Sequence, residues 1–341
     1  MKKRLLSLAL AFWLCLGLFP VVAFAEDAVL YPLWIGDTRV TSANAGDALG
    51  DGTVSFVPAT ENQPATLTLD NANIGVEAGG GDRIGISWRA ESADNPLTIR
   101  LIGENKVTAG DVTSGWSGCG NYSIGIHGLT SIRITGAGTL TATSGNATAS
   151  SHHSYGIYLY QGTLAIDDGV KLNCIAGTGG ITSCGIRVFM NGRIHVGKGA
   201  TVTATAGSSP SGDSMGICCN NGDMTLGNGS HVIGTGDTAY GKSYGIFANP
   251  ATTLKYSATL EAKGYTSAVK NALDFTPAMK GVLRRQTTTV AILLHIMPTT
   301  TAPINISRSF PSPMSTLMMR AHGVSTVKST GTNVSSVTAR I

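Results

Sequence analysis

The sequence predicts an all-β fold, a solenoid of stacked parallel strands with about 30 residues and three short strands per turn. Three observations carry that prediction. The pattern Ser-x-Gly-Ile occurs five times at nearly even intervals, starting at Ser123, Ser154, Ser183, Ser214 and Ser243. Such regularity is the mark of a repeat architecture. Apolar residues two apart then recur in fixed order after each copy, which is the period of a strand. Finally, 44 glycines, together with Asn, Asp and Ser, separate those pairs, as turns between short strands require.

Residues 1–25 read as a secretory signal peptide. Met1-Lys2-Lys3-Arg4 is the basic start, Leu5–Leu18 the apolar run, and Ala23-Phe24-Ala25 the small-residue cleavage site before Glu26. No second apolar run of membrane-spanning length follows, so no span is expected after cleavage. The expected location is secreted, extracellular or on the cell surface.

Residues 83–274 carry the rungs. After each Ser-x-Gly-Ile unit come Ile132/Ile134, Leu164/Ile166, Ile194/Val196, Met224/Leu226 and Leu254/Tyr256. Glycine-rich turns follow, such as Asp167-Asp168-Gly169 and Gly197-Lys198-Gly199. A third pair then closes the rung: Leu140/Ala142, Leu172/Cys174, Val202/Ala204, Val232/Gly234 and Leu260/Ala262. Arg83-Ile84-Gly85-Ile86 is an earlier, degenerate copy. One rung cannot bury its own inward side chains, but stacked rungs about 4.8 Å apart align like residues into ladders. The expected inward ladder is Ile126, Ile157, Ile186, Ile217 and Ile246. Strict alternation also turns Ile124, Tyr155, Cys184, Met215 and Tyr244 inward, and the motif glycine outward.

This phrasing resembles secreted bacterial proteins with a right-handed single-stranded parallel β-helix of the pectate-lyase-like architecture, classed as carbohydrate-binding domains. The resemblance rests on Leu30-Tyr31-Pro32-Leu33-Trp34-Ile35-Gly36, Leu67-Thr68-Leu69-Asp70-Asn71-Ala72-Asn73-Ile74, Leu97-Thr98-Ile99 and the later rungs. It covers roughly residues 29–275. It implies a right-handed helix, N-terminal strands and a cap within residues 26–82 covering the open edge of the first rung, and a polysaccharide as partner.

The residues give that partner a place to bind. Outward positions on the first strand are His127, Tyr158, Arg187, Cys218 and Phe247, then Leu129, Tyr160, Phe189, Asn220 and Asn249. Tyr158, Tyr160 and Phe189 would stack as exposed rings beside Arg187. Flat rings present apolar faces to sugar C–H groups, and a guanidinium can pair with a uronate carboxylate. The competing reading is a strip covered by loops. Asp167 and Asp168 share one turn and are either solvated or a weak Ca²⁺ site. No stacked acids on adjacent rungs support them, so a hydrolase pair or a lyase centre is not assembled. The expected function is a non-catalytic carbohydrate-binding or adhesive module, with a polysaccharide lyase or hydrolase and a structural spacer as alternatives. His152-His153 reads as a solvated loop, and His195 as a surface residue. Of the six cysteines, Cys15 lies in the leader. Cys174, Cys184 and Cys219 read as small core hydrophobes, Cys218 points out, and Cys119 lies in a glycine-rich loop.

Residues 275–341 break the pattern. They contain no Asp or Glu and seven bases: Lys280, Arg284, Arg285, Arg308, Arg320, Lys328 and Arg340. The readings open for this tail are a frameshift, a disordered linker and a basic segment for an anionic polymer. It also decides how the net charge of +4 is understood. Without the leader and tail, 14 bases remain with all 20 acids, a charge of about −6 on residues 26–274. Nucleic acid is therefore not an expected partner.

Overall fold

A rung of this chain turns three corners, and the sequence marks each with glycine, Asn or Asp. The computed structural model describes residues 27–92, 95–114, 121–254 and 258–275, and short strands at 279–280, 282–285, 290–295, 297–298 and 337–340. The signal segment, the loop holding Cys119 and the rest of the tail lie outside the described residues. Six rungs stack in parallel. First-face strands are Arg83–Trp88 and Tyr122–Gly128, then His153–Ile166 and Thr182–Val196, then Asp213–Cys219 and Ser243–Leu254. Three of these, His153–Ile166, Thr182–Val196 and Ser243–Leu254, run on into the second face. Elsewhere the second face is made by Leu97–Ile102, Ile132–Gly136 and Met224–Leu226. Third-face strands are Glu104–Thr108, Thr139–Thr143, Lys171–Ile175, Thr201–Thr205, His231–Thr235 and Thr259–Gly264.

The registers give the ladders. Ile86, Ile126, Ile157, Ile186, Ile217 and Ile246 pair in series up the first face, and none is more than 1% exposed. Leu140, Leu172, Val202, Val232 and Leu260 do the same on the third face. Full burial of such side chains stabilises by about 1.5–3 kcal/mol each, so the stack is held by repetition of one small gain. Where the first rung offers Asn105 to this ladder, its amide is satisfied. Its Oδ1 accepts the Ala72 N–H at 2.9 Å and its Nδ2 donates to the Ile102 carbonyl at 3.0 Å.

The N-terminal strands cap the stack as the resemblance implied. Leu30–Ile35 runs antiparallel to Arg83–Trp88 and makes a hairpin with Thr38–Thr41. Ala65–Asp70 lies parallel on Leu97–Ile102, and Val54–Val57 covers it antiparallel. On the first and second faces the antiparallel strands end the parallel series at this end, which blunts the open edge. At the other end Ser267–Phe275 adds a further parallel strand to Ser243–Leu254, and Val290–His295 pairs antiparallel with Thr259–Gly264.

Strict alternation fails at the Gly-Ile step of the motif. The expectation that the motif glycine faces out is corrected. A Cβ on Gly156 would lie 3.0 Å from the Ile175 nitrogen and 3.1 Å from the Cys174 Cβ, so this position faces inward against the third-face strand. The following isoleucine faces inward too. Two successive inward positions mean that the chain bends between them, and parity reverses. Ile124, Tyr155, Cys184, Met215 and Tyr244 therefore leave the main core and form a second buried cluster with Cys218 on the outer side. The motif serine faces the corner interior. The Ser183 hydroxyl donates to the Gly177 carbonyl and accepts the Gly207 N–H, both at 2.8 Å. Ser123, Ser154 and Ser214 make the same carbonyl bond to Gly110, Gly145 and Gly207. Each serine thus ties its rung to a neighbouring turn rather than only to its own residues.

Candidate functional site

The parity reversal makes the outer surface of the first face concave at the bend. Residues two before and one after the motif isoleucine, which alternation would send to opposite faces, converge outside. Tyr155 and Tyr158 stack with ring centroids 5.0 Å apart. Tyr122 and His153, register partners on adjacent rungs, stack at 4.9 Å and 10°. His127 stacks on Tyr158 at 5.8 Å. The result is a continuous aromatic layer over the second and third rungs.

Arg187 closes this layer from the fourth rung. Its guanidinium lies 5.4 Å from the Tyr155 ring centroid and 5.0 Å from that of Phe189. Its Nη1 donates to the Tyr155 hydroxyl at 2.9 Å, and that hydroxyl lies 2.9 Å from His153 Nδ1. Among the described residues the buried Arg187 Nε meets no hydrogen-bond partner, and none of the ion pairs includes Arg187. Tyr160 and Phe189 pair at 6.1 Å on the outer margin, where Tyr160 is 40% exposed.

Burial sets the protonation states. It is the main cause holding His153 down to about 4, with Arg187 and His152 adding to it. His127 is likewise pushed down to about 4, by burial and then by Arg89. Burial also raises the Tyr158 phenol to about 12, against the opposing charge of Arg187. It raises the Tyr155 phenol further. At neutral pH the layer is therefore uncharged apart from Arg187.

Of the four residues expected as one exposed cluster, Tyr160 pairs with Phe189 and Arg187 lies over Phe189, whereas Tyr158 packs with other rings. Tyr158 is half-buried between Tyr155, Tyr122 and His127, while Tyr160 and Phe189 form the accessible edge. Tyr122, Tyr155 and His153 were missed. Tyr155 was assigned to the core by alternation. His152-His153 was read as solvated, yet His152 is 3% exposed and His153 is stacked. The missed signal was the strand parity at glycine, visible only once the glycine Cβ positions are known.

Asp167 and Asp168 sit at the corner after the second face. Arg133 binds both Asp167 carboxylate oxygens, with Nε 2.9 Å from each and Nη2 2.8 Å from Oδ2. Asp168 Oδ1 accepts the Lys198 N–H at 2.7 Å. The two carboxylates thus serve an ion pair and a turn. An open depression of about 220 Å³, lined by Asp168, His195, Gly197, Lys198, Gly227 and Asn228, lies at this corner, away from the aromatic layer. Among the described residues no group of three His, Cys, Asp or Glu could hold a metal. No described helix is long and apolar enough to cross a membrane.

Compared with protein-family models, curated proteins and solved structures, the chain matches none.

Proposed function

We propose that this protein is a non-catalytic carbohydrate-binding or adhesive module that works outside the cell and holds a polysaccharide along the first face of its solenoid. The observation that carries the reading is the accessible Tyr160–Phe189 pair, with the Arg187 guanidinium 5.0 Å from the Phe189 ring centroid. A sugar ring stacks on an aromatic face through its C–H groups, and the positive charge of a nearby guanidinium favours a uronate carboxylate. The signal-peptide pattern and the resemblance to secreted pectate-lyase-like β-helices support it.

The alternative of a lyase draws on the hydrogen-bonded series Arg187, Tyr155 and His153. Burial argues against it. Tyr155 is 2% exposed and its phenol is made harder to ionise, the reverse of what a base near neutral pH needs. Binding to a panel of neutral and uronate-bearing polysaccharides, measured by calorimetry and affinity electrophoresis, tests the reading. Tyr160→Ala and Phe189→Ala are expected to weaken binding about tenfold or more each, in the range of lost aromatic contacts. Unchanged binding in both variants removes the aromatic strip from the account. Unsaturated products absorbing in the ultraviolet would instead establish a lyase.

A further inference from the structure

Beyond the aromatic layer, on the fourth and fifth rungs, the same concave strip changes from rings to sulfur. Cys184 and Met215 are direct register partners, so their backbones lie about 4.8 Å apart. Cys218 stands on the outer side of the same bend, opposite Arg187. All three belong to the small outer cluster, separate from the main core. The Cys184 and Cys218 side chains lie close enough to interact with one another. Cys184 Sγ also donates to the Ile186 carbonyl at 3.1 Å, and Cys218 Sγ to Asn220 Oδ1 at 3.2 Å. Both cysteines are free, 0% and 1% exposed, and Met215 is 6% exposed.

We infer that Cys184, Cys218 and Met215 form a binding site for a soft monovalent metal ion of the copper(I) class. Two thiols and a thioether are the donor set that such ions prefer over harder ones. Zinc is disfavoured, because a closed tetrahedral site needs four ligands and among the described residues no third His, Cys, Asp or Glu joins these two thiols. Calcium wants oxygen ligands. In the structure neither cysteine is bonded to another.

Charge provides the independent argument. Arg187, half-buried and the register partner of Cys218, has no carboxylate partner among the described residues. Binding releases both thiol protons, so two thiolates and one monovalent ion carry a net charge of −1. That charge is what the guanidinium lacks. A neutral set of Arg187, two thiolates and the ion is far cheaper to bury than an isolated cation.

The test uses the full chain, reduced and kept anaerobic, titrated with copper(I) against a chromophoric copper(I) chelator, with silver(I) as a redox-inert check. One equivalent taken from the chelator is expected, with an all-sulfur first coordination sphere by X-ray absorption. Cys184→Ala/Cys218→Ala, which keeps the other four cysteines, is expected to lose that equivalent, and Met215→Leu to weaken it while preserving the fold. Cys174→Ala/Cys219→Ala removes two thiols of the main core and is expected to retain it. Circular dichroism of each variant confirms folding, and silver(I) binding by folded Met215→Leu alone is read if the double variant fails to fold. Failure of the folded wild-type chain to take the ion, or uptake unchanged by loss of Cys184 and Cys218 or by Met215→Leu, overturns the inference. A disulfide-linked Cys184–Cys218 peptide from the air-oxidised chain also overturns it. Glycan binding is measured separately and neither outcome depends on it.

Discussion

Replacing Gly185 by alanine tests the bend on which the outer strip depends. A Cβ there would lie 2.7 Å from the Gly216 carbonyl oxygen, 2.7 Å from the Thr205 nitrogen and 2.8 Å from the Ala204 carbonyl carbon. All three are backbone atoms on neighbouring strands, so no flexible side chain can swing away. Ordinary contact begins at 3.4 Å. To reach it the strands must separate, and the ladder bonds around the corner would stretch with them. Overpacking costs about 1–3 kcal/mol, and weakening one or two hydrogen bonds about 1 kcal/mol more. The expected loss is therefore about 2–4 kcal/mol. Gly169→Ala is the matched control. That glycine has φ +71° with nothing within 4 Å of its Cβ position, so its alanine bears only left-handed backbone strain of about 1–2 kcal/mol. Urea unfolding of the full chain, followed by far-ultraviolet circular dichroism, compares them. A Gly185→Ala cost below that of Gly169→Ala, or within about 0.5 kcal/mol of wild type as for an ordinary surface substitution, would refute the inward placement of the motif glycine.

Ser183→Ala leaves the half-buried Gly177 carbonyl and Gly207 N–H without this partner. It should cost about 1–2 kcal/mol in the same assay, and Ser183→Thr should cost less if its hydroxyl keeps the geometry. His127 and His153 are held neutral in the fold at about 4 against 6.5 when unfolded. The unfolded chain then holds more protons between those values, so stability falls as pH drops from 6.5 to 4. The fall is at most about 3 kcal/mol per histidine. His153→Asn should flatten that slope in unfolding curves taken across the window, and an unchanged slope would remove His153 as a cause. Asp167→Asn breaks a bidentate pair whose Arg133 side chain is 59% exposed. It should cost no more than about 1 kcal/mol, and calcium should raise the melting temperature of neither form.

The solenoid was legible because stacking turns local periodicity into global structure. Ile126, Ile157, Ile186, Ile217 and Ile246 each repeat one inward demand, and the parallel registers join them as the near-even spacing of the motif requires. The turn at Asp167-Asp168-Gly169 was legible for the same reason, and Gly169 takes the positive φ such a turn uses. The outward placement of Tyr158, Tyr160, Arg187 and Phe189 was legible because they follow the inward isoleucine within one strand. Tyr155 and His153 were not, since they precede the bend and alternation carried across it gives the wrong face. Asp167 was read without its partner because Arg133 is 34 residues away on the previous rung.

By itself, then, the sequence determined the rung, its period, its turns and the identity of the main ladders. These follow from side chains two residues apart and from a repeat that only stacking can satisfy. Tertiary structure decided which side of the first face each residue before the bend would occupy. The corner glycine packs so close to the third-face backbone that two inward positions fall in succession. That contact joins residues from different strands, and no local pattern encodes it. From it come the concave strip, its aromatic layer around Arg187 and the sulfur cluster beside it.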